Sequence, residues 1–299
     1  MPSALDLNLG AILIGALLGS VLFGAVTVQV YVYLQSPFND TKWIQSLVVI
    51  IWVAECVWTI ATWIYLYHII VTNYGDLDVL ERSHWALVMT PIISGMVEMI
   101  VQGFFAYRIW VLSGRRIIPA VVSVITATQL AGCFVMGILA GQLSLPVFAS
   151  RFKWVITFVF SLTLSADLIN TMTMCYYLRL NRRGITSTNR ALDTLCLWTI
   201  QTGILLSITA MLILIFEQTL PRTEMWIGVA LIKGKLYSNN FMASLNGRNF
   251  LRQILDNTSN TLASSGPALS TFRVDVQKST YHEQVGISAM GESPELLPI

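Results

Sequence analysis

The chain has 299 residues, of which 55% are hydrophobic and 11% charged, with a net charge of +2. A soluble domain carries about 25% charged residues, so this chain cannot clothe a water-facing surface of its own. The near-neutral balance also argues against a nucleic-acid partner. Four cysteines (Cys56, Cys133, Cys175, Cys196) all sit inside apolar runs, without CxxC or zinc-ligand spacing. No outer disulfide, no metal and no cofactor are therefore expected.

Seven apolar runs follow one another, at 9–34, 43–71, 85–111, 117–143, 152–178, 192–216 and 223–245. Each is long enough to cross a hydrocarbon core of about 30 Å as a helix. The expected fold is all-α: a seven-transmembrane helical bundle spanning 1–255, followed from 256 to 299 by a disordered cytoplasmic tail. The first run has neither the basic flank nor the cleavage site of a signal peptide and is expected to be retained. In it Ala11, Gly15 and Gly19 repeat every four residues, a small-residue face that admits a neighbouring helix closely. Ser36-Pro37-Phe38-Asn39-Asp40 ends the first run, Asn73-Tyr74-Gly75-Asp76 the second, and Ser113-Gly114-Arg115-Arg116 turns the third into the fourth. The seventh run is the least apolar. Beyond Asp256 the composition shifts to Ser, Thr, Gly and Pro without periodicity.

Basic residues set orientation. Arg82, Arg151, Lys153 and Arg222 fall on one side. Lys42, Arg108, Arg115, Arg116, Arg179, Arg182, Arg183, Arg190, Arg248 and Arg252 fall on the other. The richer side is expected to be cytoplasmic, with the N-terminus outside. The sequons at Asn39 and Asn257 then lie inside, where they should not be glycosylated.

Ionisable groups within spans are costly and are functional candidates by default. Glu55, Glu98 and Asp167 fall roughly 18–23 Å from their span starts at 1.5 Å per residue, near the midplane. Each has polar company on its own helix face. Glu55 aligns with Thr59 and Thr62, Glu98 with Ser94 and Gln102, and Asp167 with Thr163, Asn170 and Met174. Turned inward, the three faces make either an ion, proton or ligand site or an interhelical hydrogen-bond network that only fastens helices. Lys233 and Lys235 in the last run either pair with such acids or snorkel to the interface. Arg108 reads as a topology signal beside an aromatic belt, His68 as interfacial, and Trp43, Trp85, Trp110 and Trp226 as interface markers.

Several segments carry a resemblance. They are GAVTVQVYVYL (24–34), YH with IVTN (67–73), FFAYRIWVL (104–112), ADLI (166–169) and above all GKLYSNNFMASLNGR (234–248). Together they resemble a family of seven-span membrane proteins of unknown function abundant in basidiomycete fungi, over roughly residues 10–250. The resemblance implies a motif at Lys235, Leu236, Tyr237, Ser238, Asn239, Ala243, Ser244, Leu245, Asn246 and Arg248. The chain departs from it at Asn240, where the family usually has Ser, at Glu55, where Asp is commoner, and by the added charge of Lys233. The resemblance implies a fold and no activity.

Three functions compete. A receptor or sensor fits the seven spans, the basic inner face and a tail with 11 Ser or Thr in its last 43 residues. Its ligand would be small or apolar, because the outer loops are short, and its reader would be a cytoplasmic signalling partner. A transporter or channel fits the midplane acids, but no inverted repeat or Gly/Pro-broken helix pair is present. A retinal protein fits only a Lys in the last span. No Ser/His/Asp, metal or phosphate-loop constellation supports an enzyme.

Overall fold

The computed structural model describes residues 4–36, 40–76, 79, 82–180, 186–220 and 223–264, with backbone alone at 4–7, 186–191 and 249–264. All regular structure among them is helical. The helices are α1 (Ala4–Leu34), α2 (Lys42–Tyr67), α3 (Trp85–Ser113), α4 (Ile117–Gln142), α5 (Leu145–Arg151), α6 (Lys153–Leu180), α7 (Thr186–Thr219) and α8 (Met225–Ser264). Six stretches are long and apolar enough to cross a membrane: Asn8–Leu34, Lys42–Thr72, Trp85–Ser113, Ile117–Gln142, Lys153–Leu180 and Leu192–Thr219. Their outward faces are apolar, as at Val21, Val28, Ile60, Trp63, Val124, Met172 and Ile208. That is the surface a bilayer, rather than water, accommodates, and helices satisfy their own backbone polar groups there.

The seventh apolar run is the exception. It forms the first half of α8, but its charges and amides keep α8 out of the set apolar enough to cross by composition. The packing explains the departure. α8 lies inside, against α1, α2, α3 and α7, with Ile227, Leu231, Tyr237, Phe241, Met242 and Leu245 buried on all its sides. A helix surrounded by helices does not need an apolar exterior.

Close backbone approach seats it. A Cβ at Gly15 would stand 2.3 Å from the Gly228 carbonyl oxygen, and one at Gly228 would stand 2.4 Å from the Ala11 carbonyl oxygen. The expected small-residue face of α1 thus meets a glycine of α8. The two ends of this pair are tied as well. At the near end, where α1 begins, Asn8 Oδ1 accepts from the Glu224 backbone N–H at 3.0 Å. At the far end, Arg248 clasps Asp40 with Nη1 and Nη2 at 2.7 and 2.6 Å. Tyr33 OH also donates to Asp40, at 2.8 Å.

Other boundaries differ from expectation for local reasons. The link after α4 is not a plain loop. Ser144-Leu145-Pro146 starts α5, whose Leu145 and Phe148 fold into the core. α2 ends in a π-turn, His68–Thr72, closed by Asn73, whose backbone N–H and Nδ2 both donate to the His68 carbonyl at 3.2 and 2.9 Å. His68 is not merely interfacial; its ring stacks on His84 at 4.6 Å. His84 caps α3, its ring accepting from the Ala86 N–H at 3.3 Å. Burial, and then the nearby His68, pull its pKa below the usual imidazole value. Gly114, at φ 67°, ends α3 in the left-handed conformation that favours glycine. α7 begins six residues before the expected 192. α8 continues past the expected 245 and 255 to Ser264: it runs through Gly247, and no further Gly or Pro intervenes before Gly266-Pro267. The rest of the expected tail and the Asn39 sequon lie outside the described residues. Trp226 is buried, whereas Trp43, Trp85 and Trp110 stand exposed. As the near end of an interior helix, Trp226 faces the core instead of an interface.

Candidate functional site

Five charged side chains meet in the middle of the bundle. Glu55, Glu98, Asp167, Lys233 and Lys235 are 0%, 5%, 4%, 1% and 3% exposed. The lysines therefore do not snorkel. Two residues apart on a helix means about 200° of rotation at 3.6 residues per turn, so the lysines leave α8 on opposite sides. Gly234 lies between them. A Cβ there would meet the Trp58 indole at 2.1 Å, so only glycine lets α2 pack this close.

Lys235 points to α2. Its Nζ donates to Glu55 Oε2 at 2.5 Å and to Thr59 Oγ1 at 2.7 Å. Ser238 Oγ, one turn further on, donates to Glu55 Oε1 at 2.5 Å. Trp58 and Phe23 place ring faces 4.5 and 5.5 Å from Nζ. The cation thus sits in an aromatic and carboxylate cage of the kind that makes a buried ammonium tolerable.

Lys233 points to α3, α4 and α6. It donates to Glu98 Oε1 at 2.8 Å, and Gln129 Nε2 donates to Glu98 Oε2 at 2.5 Å. The Tyr237 and Phe160 rings lie 4.8 and 5.4 Å from its Nζ. Asp167 on α6 takes no lysine. Tyr237 OH donates to Asp167 Oδ2, and Gln102 Nε2 donates to Asp167 Oδ1 at 3.0 Å. Two ion pairs and one carboxylate held by neutral donors therefore make up the centre. Buried pairs of this sort add little net stability, but leaving one partner alone is expensive.

Asn170 lies beside this centre, one turn from Asp167. Its Oδ1 is buried without a hydrogen-bond partner, as is Gln102 Oε1. Both residues line a small cavity of about 30 Å³, together with Asp167 and Tyr237. Of the expected site residues, Glu98 and Lys233 share one cluster, Asp167, Gln102 and Asn170 a second beside it, and Glu55 and Lys235 a third across α8. Gln129 was missed, although an amide in the middle of the fourth apolar run was a signal of the kind that marked Gln102. Among the described residues no cluster of His, Cys, Asp and Glu could hold a metal ion.

The remaining polar motif residues reach outward, to α1, α3 and the α1–α2 link. Asn239 Nδ2 donates to the Leu22 carbonyl of α1 at 3.1 Å, and Asn246 Nδ2 to the Gln29 carbonyl at 2.9 Å. Ser244 accepts from Arg108 of α3. With Arg248 on Asp40, the polar stripe of α8 fastens α1, α2, α3, α6 and the α1–α2 link. Leu236 and Leu245 pack in the apolar cluster of the far half, and Ala243 is exposed.

A cavity of about 70 Å³ opens on the near side of Glu98. Pro91, Met136, Phe148, Phe160, Trp226 and Ala230 are among its walls, and the Glu98 carboxylate is its polar floor. Pro91 lacks the N–H that would have bonded the Leu87 carbonyl, which leaves an acceptor at the same wall.

No curated protein matches the chain. Residues 163–250 match the model of a family described as Family of unknown function (DUF6534). That stretch holds Asp167, Asn170, Lys233, Lys235 and the whole α8 stripe to Arg248, while Glu55 and Glu98 lie before it. The chain is thus similar to the DUF6534 family over α6 from Thr163, α7 and α8 as far as Phe250.

Proposed function

We propose that the protein is a seven-span membrane receptor or sensor, with residues 225–248 of α8 as the seventh span, the near end outside and the far end in the cytoplasm. Ten Lys and Arg toward the far end against four toward the near end support the orientation. The observation that carries the functional reading is the near-side cavity over Glu98. Its walls are mostly apolar, with hydroxyls at Thr90, Ser94 and Thr163, and its floor is an acid bonded to Lys233 of the interior helix. A small, mostly apolar molecule with one polar group entering there competes directly for Glu98. Any change in that pairing is a change in the seating of α8, which runs on unbroken to the far end. There the helix extends about 24 Å beyond Arg248, a handle for a cytoplasmic signalling partner. No catalytic constellation belongs to this reading.

A purified-protein test uses a graded series of medium-chain aliphatic alcohols. Chain lengths that fit should raise the melting temperature, and Ala140→Phe, which fills the cavity wall, should abolish the rise. Equal stabilisation of parent and A140F would remove the cavity from the reading. Glycosylation reporters at the two termini test the orientation: modification at the C-terminus alone would invert it.

A transporter is the second reading, favoured by one observation. Asp167 lines a cavity that continues toward the far end, while Glu98 floors one open toward the near end. Lys233 is bonded to Glu98, and Tyr237 to Asp167. Proton flux into proteoliposomes that disappears in Glu98→Gln would favour a conductor, and flux absent from the parent would favour the receptor.

A further inference from the structure

Arg108 is one of the charged side chains that the central clusters leave out. It sits five residues before the end of α3, roughly 15 Å along that helix from Glu98. Its one hydrogen bond is the donation to Ser244 Oγ. No carboxylate stands within ion-pair distance of it among the described residues, and Arg248, a like charge, is already clasped by Asp40. The guanidinium offers five N–H donors and no acceptor, and stays charged under any ordinary condition. Four donors without partners and a charge without a counterion mark an arginine arranged for something that the protein itself does not supply.

A cavity of about 270 Å³ opens beside it between α3, α7 and α8. Asn240, one turn before Ser244, lines it and has no hydrogen-bond partner among the described residues. Thr199 and Thr202 also line it from α7, their hydroxyls donating to the Leu195 and Trp198 carbonyls at 2.8 and 2.9 Å. Gln201 adds a second amide, and the rest of the wall is mostly apolar, at Phe105, Leu195, Trp198 and Ala243. Such a space suits a charged head with a hydrocarbon stem better than a fully hydrated ion.

We propose that the Arg108 cavity binds an oxyanion, with phosphate ester the chemistry that a forked guanidinium beside a side-chain amide donor recognises. Its level near the end of the spans fits two sources: the headgroup of an anionic membrane lipid, or a free phosphate compound. The apolar wall favours the lipid. Binding would supply the missing counterion and brace α3 against α8 at Ser244.

The test uses full-length protein, delipidated in neutral detergent and titrated with short-chain phosphatidic acid, short-chain phosphatidylcholine and inorganic phosphate, read by calorimetry and melting temperature. Phosphatidic acid should bind at least tenfold more tightly than phosphatidylcholine. Arg108→Gln should erase that preference, and Arg108→Lys should keep part of it. Because Arg108→Gln could fail to fold, Asn240→Asp provides an independent arm. It places a carboxylate in the cavity with Arg108 intact and should weaken phosphatidic acid binding tenfold or more. Inorganic phosphate binding as tightly as the lipid would keep the oxyanion site and assign it to the free source. Equal binding of the two lipids by the parent, or undiminished phosphatidic acid binding in a folded R108Q or N240D, would overturn the proposal.

Discussion

Replacing Lys235 and Glu55 by methionine, singly and together, tests whether the centre is a coupled network. Lys235→Met removes two short interhelical hydrogen bonds, to Glu55 Oε2 at 2.5 Å and to Thr59 at 2.7 Å, and a long one to the Glu55 carbonyl at 3.4 Å. At roughly 0.6–1.7 kcal/mol each in a membrane, the two short ones account for about 1–3 kcal/mol. The larger effect is the stranded Glu55 carboxylate, left with Ser238 alone, which takes the total toward about 3–5 kcal/mol. Glu55→Met strands Lys235 in the same way and should cost about as much. The double variant leaves no unpaired charge, and two apolar chains of similar length fill the space. Its stability should fall within about 1–2 kcal/mol of the parent, since replacing both members of a buried pair is often neutral. The cycle should therefore show a coupling of about 3 kcal/mol or more between Lys235 and Glu55. Reversible unfolding in mixed micelles gives the four free energies. Singles that unfold like the parent, or a double variant whose loss equals the sum of the singles, would show that the pair is not formed in the folded protein.

Three further outcomes follow from the same geometry. Gly228→Ala puts a methyl 2.4 Å from the Ala11 carbonyl oxygen; backbone cannot step aside as a side chain can, so the loss should reach about 1–3 kcal/mol or more, visible as a lower melting temperature with membrane insertion unchanged. Asn239→Leu should cost about 1–2 kcal/mol through its lost bond to the Leu22 carbonyl on α1, whereas a lipid-facing Asn239 would tolerate or prefer leucine. Asp40 has its pKa held below the ordinary 3.8, chiefly by hydrogen bonds from Arg248. Its clasp is therefore fully present above that value and lost as the pH falls through the lower, folded-state pKa. Asp40→Asn should lower the melting temperature at neutral pH, and the gap to the parent should close below pH 3.8; a gap independent of pH would mean that the carboxylate charge plays no part.

What the chain determines by itself is whatever depends on a single helix. Apolar runs of membrane length, the hinges between them and the small-residue face at Ala11, Gly15 and Gly19 all follow from local composition and period. So does the inward tendency of Glu55, Glu98 and Asp167, because a lone carboxylate facing lipid is expensive wherever the helix packs. Tertiary structure decided which partner each group takes. Lys233 and Lys235 are two residues apart and chemically identical, yet one pairs with α3 and the other with α2. Only the placement of α8 inside the bundle, seated by Gly15 against Gly228 and by Gly234 against Trp58, sends them to opposite sides. The same placement explains why the last run spends so many polar residues and falls short of a lipid-exposed span. Most of those groups answer a donor or acceptor on a neighbouring element, far away in sequence. Periodicity along one helix carries no record of such pairings, because they depend on how far apart the helices stand and how each is rotated about its own axis.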